Sequence, residues 1–256
     1  MAAMDHAHTG AGKVRVGFFS FTEVTDPDQH RAYNEWHQLD HMPEQFPLAG
    51  VAWGQRWVST PACRAARAVD EAPLRPVHYM TLYLMTDPVE ETLDSFAALG
   101  RRLRQLGRFH EHRTSHLSGP WSVVGALAAD RVLVSGAAVP FRPNTGVYVV
   151  VEAPVDDEPD VGARAVPARA DVAELLAVDG VAGVWSFAPL ARYGRWDPGG
   201  HRITVCYLDG DVMTAAAGLG SIVDQGATGT SRRFEAVLAG PFETISPWRW
   251  DWFEGS

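Results

Sequence analysis

The stretch Leu48-Ala49-Gly50-Val51-Ala52 has a counterpart 130 residues later in Val178-Asp179-Gly180-Val181-Ala182. Two further echoes lie at offsets of 124 and 120: Tyr83 and Asp87 with Tyr207 and Asp211, and Leu99-Gly100 with Leu219-Gly220. The offset falls along the chain, as it would if the loops of a second copy were shorter. Self-similarity of this kind is typical of a diverged duplication.

The order of elements around these echoes predicts the fold. Apolar alternation and Asp-Pro helix starts predict strand, helix, strand, strand, helix and strand at 14–22, 27–46, 51–59, 77–86, 89–106 and 121–128. The same order recurs at 146–153, 170–178, 181–188, 203–209, 212–223 and 233–245. The order β-α-β-β-α-β is the split βαβ unit of ferredoxin-like folds. We therefore predict an α+β fold of two tandem ferredoxin-like modules, residues 13–130 and 145–250.

Composition excludes several classes of function. The chain has 256 residues, of which 46% are apolar and 21% charged, as in globular proteins that bury a core. Its net charge of −9 disfavours nucleic acid and anionic membranes as partners. No run approaches the roughly 18 apolar residues that a membrane span needs, and the two cysteines lie far apart. We expect a cytoplasmic protein without a disulfide framework.

The densest chemical signal is the run Tyr33-Asn34-Glu35-Trp36-His37-Gln38-Leu39-Asp40-His41-Met42-Pro43-Glu44. His37, His41 and Glu44 are spaced i, i+4 and i+7, which places them on one stripe of a helix, with Tyr33 one turn earlier. Imidazole exchanges protons near neutral pH, and a carboxylate can fix its tautomer. The pattern predicts His41 as the main general base or acid and His37 as a second proton-transfer group. Glu44 or Asp40 would be their carboxylate partner.

Three other interpretations of this stripe stay open. It could be an ordinary solvent-exposed face, or one histidine could buttress the irregular segment from Pro43 to Pro47. It could also bind a divalent metal through His37, His41 and Glu44, since two histidines at i, i+4 are a known zinc arrangement. The His-Glu-x-x-His signature is absent, however, because Gln38 follows His37. We therefore predict no metal and no cofactor.

This run, followed by Leu48-Ala49-Gly50-Val51, resembles the EthD-like family of the dimeric α+β-barrel superfamily. The resemblance implies that the two modules form one intramolecular dimeric α+β barrel, and it places the family's motif histidine at His41. His37 falls at a position that is often Tyr. Members of the superfamily include cofactor-free monooxygenases, polyketide cyclases, lactone isomerases, dehydratases and haem enzymes, so the fold does not decide the reaction.

The second copy lacks the histidine pair. At the offset of 130, His37 corresponds to Pro167 and His41 to Asp171, so the second module is degenerate. By resemblance, two-copy barrels that bind haem take the axial histidine from the second copy. The second copy has only His201, which disfavours haem.

Aromatic and hydroxyl residues near the stripe are candidates for substrate binding. Tyr79, Thr81 and Tyr83 share one face of a strand, and Tyr33 and Trp36 lie on the helix that carries the histidines. The run from His110 to His116 is interpreted as a polar surface turn. The tryptophans at 248, 250 and 252 are expected to close the barrel or form an interface.

The leading hypothesis is a cofactor-independent lyase or dehydratase, isomerase or cyclase that uses histidine acid/base chemistry. Its substrate would be an apolar oxygenated molecule such as a polyketide, a terpenoid or an aromatic carbonyl compound. One alternative is a metal-dependent or cofactor-free monooxygenase of the same superfamily, and another is a non-catalytic ligand-binding or assembly module. The expected partner is a small apolar molecule, and a homodimer is left open.

Overall fold

Nine strands and five helices make up the part of the chain described by a computed structural model, residues 10–155, 169–190, 193, 196, 198–226 and 234–254. The strands are β1 Val14–Val24, β2 Val51–Val58, β3 Val69–Asp70, β4 Tyr79–Thr86, β5 Arg113–Ala128, β6 Gly146–Pro154, β7 Val181–Pro189, β8 Arg202–Leu208 and β9 Phe234–Thr244. The helices are α1 His30–Trp36, α2 Pro61–Ala65, α3 Val89–Gln105, α4 Arg169–Ala177 and α5 Val212–Gly226. Short 3-10 turns cover Pro27–Gln29, Pro43–Gln45 and Gly136–Phe141.

All nine strands belong to one antiparallel sheet with the order β2-β4-β1-β5-β7-β8-β6-β9-β3. Within each half, the long strands follow the same spatial order, namely second, third, first and fourth along the chain. The halves join where β5 pairs with β7. In addition, β9 pairs with β2 through Trp57 with Thr244 and Val58 with Glu243, so the succession of pairings returns to β2. The predicted α+β class is confirmed.

The glycine that recurs in the two similar segments, Gly50 and Gly180, is required by the backbone conformation. Gly50 and Gly180 adopt φ values of 86° and 84°, in the left-handed region that side chains with a Cβ avoid. Each lies directly before a strand, β2 or β7. At Gly50 there is also no room for a Cβ, which would lie 2.0 Å from the Thr92 hydroxyl oxygen. The same turn is therefore built in the same way in both halves.

The main core is shared by the two halves. Phe19 of β1 makes edge-on contacts with Trp121 of β5 at 5.6 Å and with Phe187 of β7 at 4.9 Å between ring centroids. All three rings are almost completely buried. Large aromatic rings contribute much of the apolar burial that stabilises a fold. Because the contact of Phe19 with Phe187 crosses from one half to the other, the halves share one hydrophobic core.

Several predicted boundaries were wrong. The predicted helix 27–46 is interrupted: after α1 the chain forms a π-helical turn, His37–His41, in which Met42 N–H donates to His37 O at 2.8 Å. Pro43 follows, and it has no N–H with which to continue an α-helix. Strand β5 begins at Arg113, eight residues early, because its first residues pair with the end of β1. The run from His110 to His116 is thus partly strand rather than a surface turn.

Other predictions concern the ends of the two halves. The residues between the predicted modules form a packed 3-10 turn in which Val139 is buried. Pro167, the counterpart of His37, lies outside the described residues. No helix in the described part of the chain is long and apolar enough to cross a membrane.

Candidate active site

A cavity of about 460 Å³ opens between the π-helical turn, β1, β4, β5 and α3. Its lining combines aromatic rings, hydroxyl groups, imidazoles and guanidinium groups: Phe18, Phe96, Phe109, Trp196, Ser20, Thr22, Ser115, Ser118, Thr81, Tyr83, His37, His41, His110, Arg104 and Arg113, with Gln45 and Gly100. No carboxylate is among these lining residues. Most of the wall comes from the first half, and Trp196 comes from the second.

The π-helical turn places both predicted histidines at this cavity. Such a turn is wider than an α-helical one and occurs often at functional sites. The rings of His37 and His41 lie 5.1 Å apart at 78° to each other. His37 is buried, with Nε2 3.5 Å from Thr81 Oγ1. His41 stacks on Trp36, with ring centroids 4.7 Å apart.

Polar atoms without a protein partner are concentrated around this cavity. They include Nδ1 of His37, His41 and His110, the Tyr83 hydroxyl and Gln45 Oε1, all buried. More than about 90% of buried polar groups in native proteins have a hydrogen-bond partner. Five side chains that line the cavity thus each have a buried polar atom with no hydrogen-bond partner among the described residues.

Burial keeps the two imidazoles neutral. The pKa of His41 is lowered to about 3, chiefly by burial and next by the Arg113 guanidinium, while Asp40 acts in the opposite direction. The pKa of His37 is held well below its usual range by burial, then by Arg56 and His41. Both rings are therefore uncharged near pH 7, so each has a nitrogen able to accept a proton.

Both predicted carboxylates pair with an arginine in the structure. Asp40 and Glu44 bind Arg108, Glu44 at 2.8 Å, and their side chains are more than one-third exposed. Asp40 also raises the pKa of the neighbouring His41. The π-helical and 3-10 turns break the regular α-helical spacing on which the predicted stripe depended. Among the described residues, no group of three or more His, Cys, Asp or Glu side chains is arranged to hold a metal.

The predicted binding residues divide into two groups. Thr81 and Tyr83 line the cavity, whereas Tyr33, Trp36 and Tyr79 do not. Tyr33 is buried beside His37, with the rings 5.8 Å apart, and Trp36 supports His41 from behind. These two side chains therefore contact the histidines, and their predicted role in substrate binding stays a prediction.

Tyr79 belongs to a separate buried network beneath α1. Arg56 Nη2 donates to Asn34 Oδ1 at 2.9 Å, and Asn34 Nδ2 donates to the Tyr79 hydroxyl at 2.9 Å. That hydroxyl lies 2.8 Å from His30 Nδ1. Because a guanidinium only donates, Asn34 is oriented by Arg56, and we assign the Tyr79 proton to His30. The network leads away from the cavity to a groove of about 900 Å³ lined by His30 and His78.

The aromatic C-terminal segment packs beside this groove. Trp250 is buried and donates to Gln38 Oε1 at 3.1 Å, and Phe253 stacks on His30 at 3.9 Å. Trp248 is exposed. The segment therefore covers the outer side of the first helix.

Several cavity residues were not predicted from the sequence. Arg104, near the end of α3, and His110, from the run predicted to be a surface turn, both line the cavity. Phe109, Arg113 and Trp196 were not singled out at all. None of these follows a periodic pattern, because they come from a helix end, a loop, a strand start and the other half of the chain. Only the positive charge of the 101–113 region offered a signal.

Comparison with solved structures supports the fold. An anthrone oxidase-like protein superposes with a TM-score of 0.53 at 13% identity, covering 93% of this chain and 94% of that one. A candidate chlorite dismutase superposes with a TM-score of 0.48 at 9% identity, covering 94% of this chain and 98% of that one. A candidate monooxygenase from Fusobacterium nucleatum subsp. nucleatum superposes with a TM-score of 0.46 at 10% identity, covering 92% of this chain and 94% of that one. No protein-family model and no curated protein matches the sequence. At this identity the likeness to the first structure shows a shared fold and nothing about the reaction.

Proposed function

We propose that this protein is an enzyme that moves protons on a small, oxygenated, largely apolar molecule, with His41 as the main general base or acid and His37 as the second proton-transfer group. The observation that carries this proposal is the pair of neutral imidazoles, each with a buried Nδ1 that has no protein partner, at one cavity of about 460 Å³. A surface stripe, the main non-catalytic interpretation, would have left both rings in open solvent.

The chemistry suited to these groups is proton removal from carbon next to a carbonyl. The imidazole accepts the proton, and the electrons of the C–H bond move to the carbonyl oxygen, giving an enolate. A hydroxyl donor such as Tyr83 lines the same cavity and supports that oxygen. Return of the proton elsewhere gives isomerisation, loss of a leaving group gives elimination, and attack on a second carbonyl gives cyclisation. These steps use the chain's own side chains and need no organic cofactor.

The substrate class follows from the walls. Phe18, Phe96 and Trp196 form a packed aromatic cluster at the cavity, with Phe18 4.8 Å from each of the other two rings. Such walls bind flat apolar bodies, and the hydroxyls opposite them bind oxygen substituents. A polyketide, a terpenoid or an aromatic carbonyl compound fits this description.

A second candidate is a cofactor-free monooxygenase, in which the carbanion formed by His41 reacts with molecular oxygen. The name of the anthrone oxidase-like protein that shares this fold suggests oxygen chemistry as an alternative to test. A metal-dependent enzyme is less well supported, since Glu44 is bound to Arg108.

A deuterium-exchange assay tests the proposal. We expect the protein to accelerate exchange of the α-protons of 2-tetralone in D₂O, followed by proton NMR, and His41→Gln to reduce that acceleration by roughly 10²–10⁴-fold. His112→Gln, at a half-exposed position outside the cavity lining, is the matched control and should keep full activity. Equal exchange by His41→Gln and the parent protein, at unchanged melting temperature, would refute the assignment. Product formation only under oxygen would select the monooxygenase.

We also propose that the chain is a tandem of two ferredoxin-like modules, 13–130 and 145–250, closing a single EthD-like α+β barrel. The identical strand order of the halves and the β5–β7 and β2–β9 pairings support this arrangement.

A further inference from the structure

The charges that face the cavity are of one sign. Arg104 and Arg113 line it, and Arg56 lies close enough behind it to lower the pKa values of both His37 and His41. Among the residues that the structure describes, no acidic side chain lines the cavity. The nearby acids Asp40 and Glu44 are bound to Arg108. The described lining residues therefore give the cavity a positive potential.

Arg113 is the most unusual of these arginines. Its guanidinium packs over the rings of Trp36 and Phe109, 5.4 and 5.0 Å from their centroids. Within the described part of the chain its side chain makes no hydrogen bond and no ion pair. Two other partly buried arginines there have carboxylate partners, Arg67 with Asp70 at 2.8 Å and Arg202 with Glu152 at 3.0 Å. The buried Arg56 donates to the amide oxygen of Asn34 at 2.9 Å.

A guanidinium removed from bulk water without a counter-charge is costly, and aromatic stacking offsets only part of that cost. The guanidinium is also the group best suited to bind a carboxylate or phenolate oxygen with paired N–H donors. Its placement beside the proposed base has a further consequence. An anion seated at Arg113 would cancel the largest charge effect that lowers the basicity of His41, so ligand binding would make the base stronger.

We infer that Arg113, assisted by Arg104, forms an anion subsite that binds the charged oxygen of a flat aromatic substrate, such as a phenolate, an enolate or a carboxylate. The aromatic wall of Phe18, Phe96 and Trp196 would hold the ring system. The part of this inference that concerns a substrate rests on the proposed function. The preference for a negatively charged ligand concerns binding alone and is tested separately.

The test compares two probes that differ in one charge, 3-hydroxy-2-naphthoate and its methyl ester, by isothermal titration calorimetry at pH 7.5. We expect the parent protein to bind the carboxylate at least tenfold more tightly than the ester. Arg113→Met should weaken carboxylate binding by about 10- to 100-fold, consistent with loss of a charge-assisted hydrogen bond, and leave ester binding unchanged. Arg113→Lys should retain part of the selectivity. Arg102→Gln, an exposed position on α3 outside the cavity lining, is the control and should bind both probes as the parent does.

Three outcomes would overturn the inference: equal affinity of the parent protein for both probes, unchanged selectivity in Arg113→Met, or no measurable binding of either probe. If Arg113→Met does not fold, Arg104→Met replaces it in the test, at the more exposed of the two arginines. We expect Arg104→Met to weaken binding of the carboxylate by a smaller factor and to leave binding of the ester unchanged. The two proposals can fail separately. If the parent protein prefers the carboxylate but His41→Gln retains full exchange activity, the anion subsite is upheld and the proposed function is rejected.

Discussion

Four histidines of the first half are held uncharged by their surroundings. Burial is the largest cause in each, and it lowers the pKa of His30 to about 4 and those of His41 and His78 to about 3. The pKa of His37, which is buried most deeply, is also lowered. In the unfolded chain each returns to its usual value near 6.5. The unfolded state therefore binds more protons than the folded state below that pH.

This difference predicts acid sensitivity. Stability should be complete above about pH 6.5 and fall as the pH drops toward the folded values of about 3 to 4, by on the order of 1 kcal/mol per pH unit for each histidine. Urea unfolding at pH 7.5, 6.0 and 5.0 measures it. His41→Gln should show a shallower dependence, because one of the four groups is gone. A free energy of unfolding that stays constant from pH 7.5 to 5.0 would contradict the prediction.

At the scale of elements, the first helix is tied to the sheet by Asn34. This side chain accepts from Arg56 on β2 and donates to Tyr79 on β4, so it joins α1 to two strands. Asn34 is completely buried, and Arg56 Nε and Nη1 have no hydrogen-bond partner among the described residues. The position of the π-helical turn, and with it of both histidines, depends on this anchor.

We expect Asn34→Ala to destabilise the protein by about 2–4 kcal/mol, because it leaves a buried guanidinium and a buried hydroxyl each short of a partner. Thermal unfolding measures the loss. Asn34→Asp, which keeps an acceptor for Arg56, should lose less. If both variants melt at the parent temperature, Asn34 does not anchor the helix.

At the scale of the whole molecule, Asn144 joins the two halves. Its Oδ1 accepts from Trp57 Nε1 at 3.0 Å on β2 and from Thr244 Oγ1 at 2.6 Å on β9, and its amide exchanges hydrogen bonds with Gln55 at 3.1 Å. It lies where β9 pairs with β2. Asn144 thus supports the pairing of β9 with β2, which links the last long strand of the chain to the first half.

Asn144→Ala should lower stability by about 2 kcal/mol, since the Trp57 ring is buried and its N–H would lose its acceptor. For a chain of this size the melting temperature should fall by about 4–8 °C. Differential scanning calorimetry measures it, with Asn144→Asp as the control that keeps the acceptor oxygen. An unchanged melting temperature for Asn144→Ala would show that the pairing of β2 with β9 does not need this side chain.

The sequence by itself determined the element order, the internal echo and the choice of His37 and His41. These depend on local properties, namely the alternation of apolar residues, Asp-Pro helix starts and glycines such as Gly50 that need a left-handed conformation. The π-helical turn was not predictable, because its ends are set by Pro43 together with packing against strands distant in the chain. Beyond that turn, Glu44 pairs with Arg108.

Only the tertiary structure decided which side chains surround those histidines. Arg113, His110 and Trp196 reach one cavity from a strand start, a loop and the second half, and no spacing in the sequence relates them. The reason is physical. The burial, the electrostatic surroundings and the hydrogen-bond partners of a side chain depend on contacts between distant segments, whereas periodicity in the sequence reflects only neighbours within one helix or strand. The sequence therefore indicated the histidine pair, whereas only the fold shows that arginines line the same cavity.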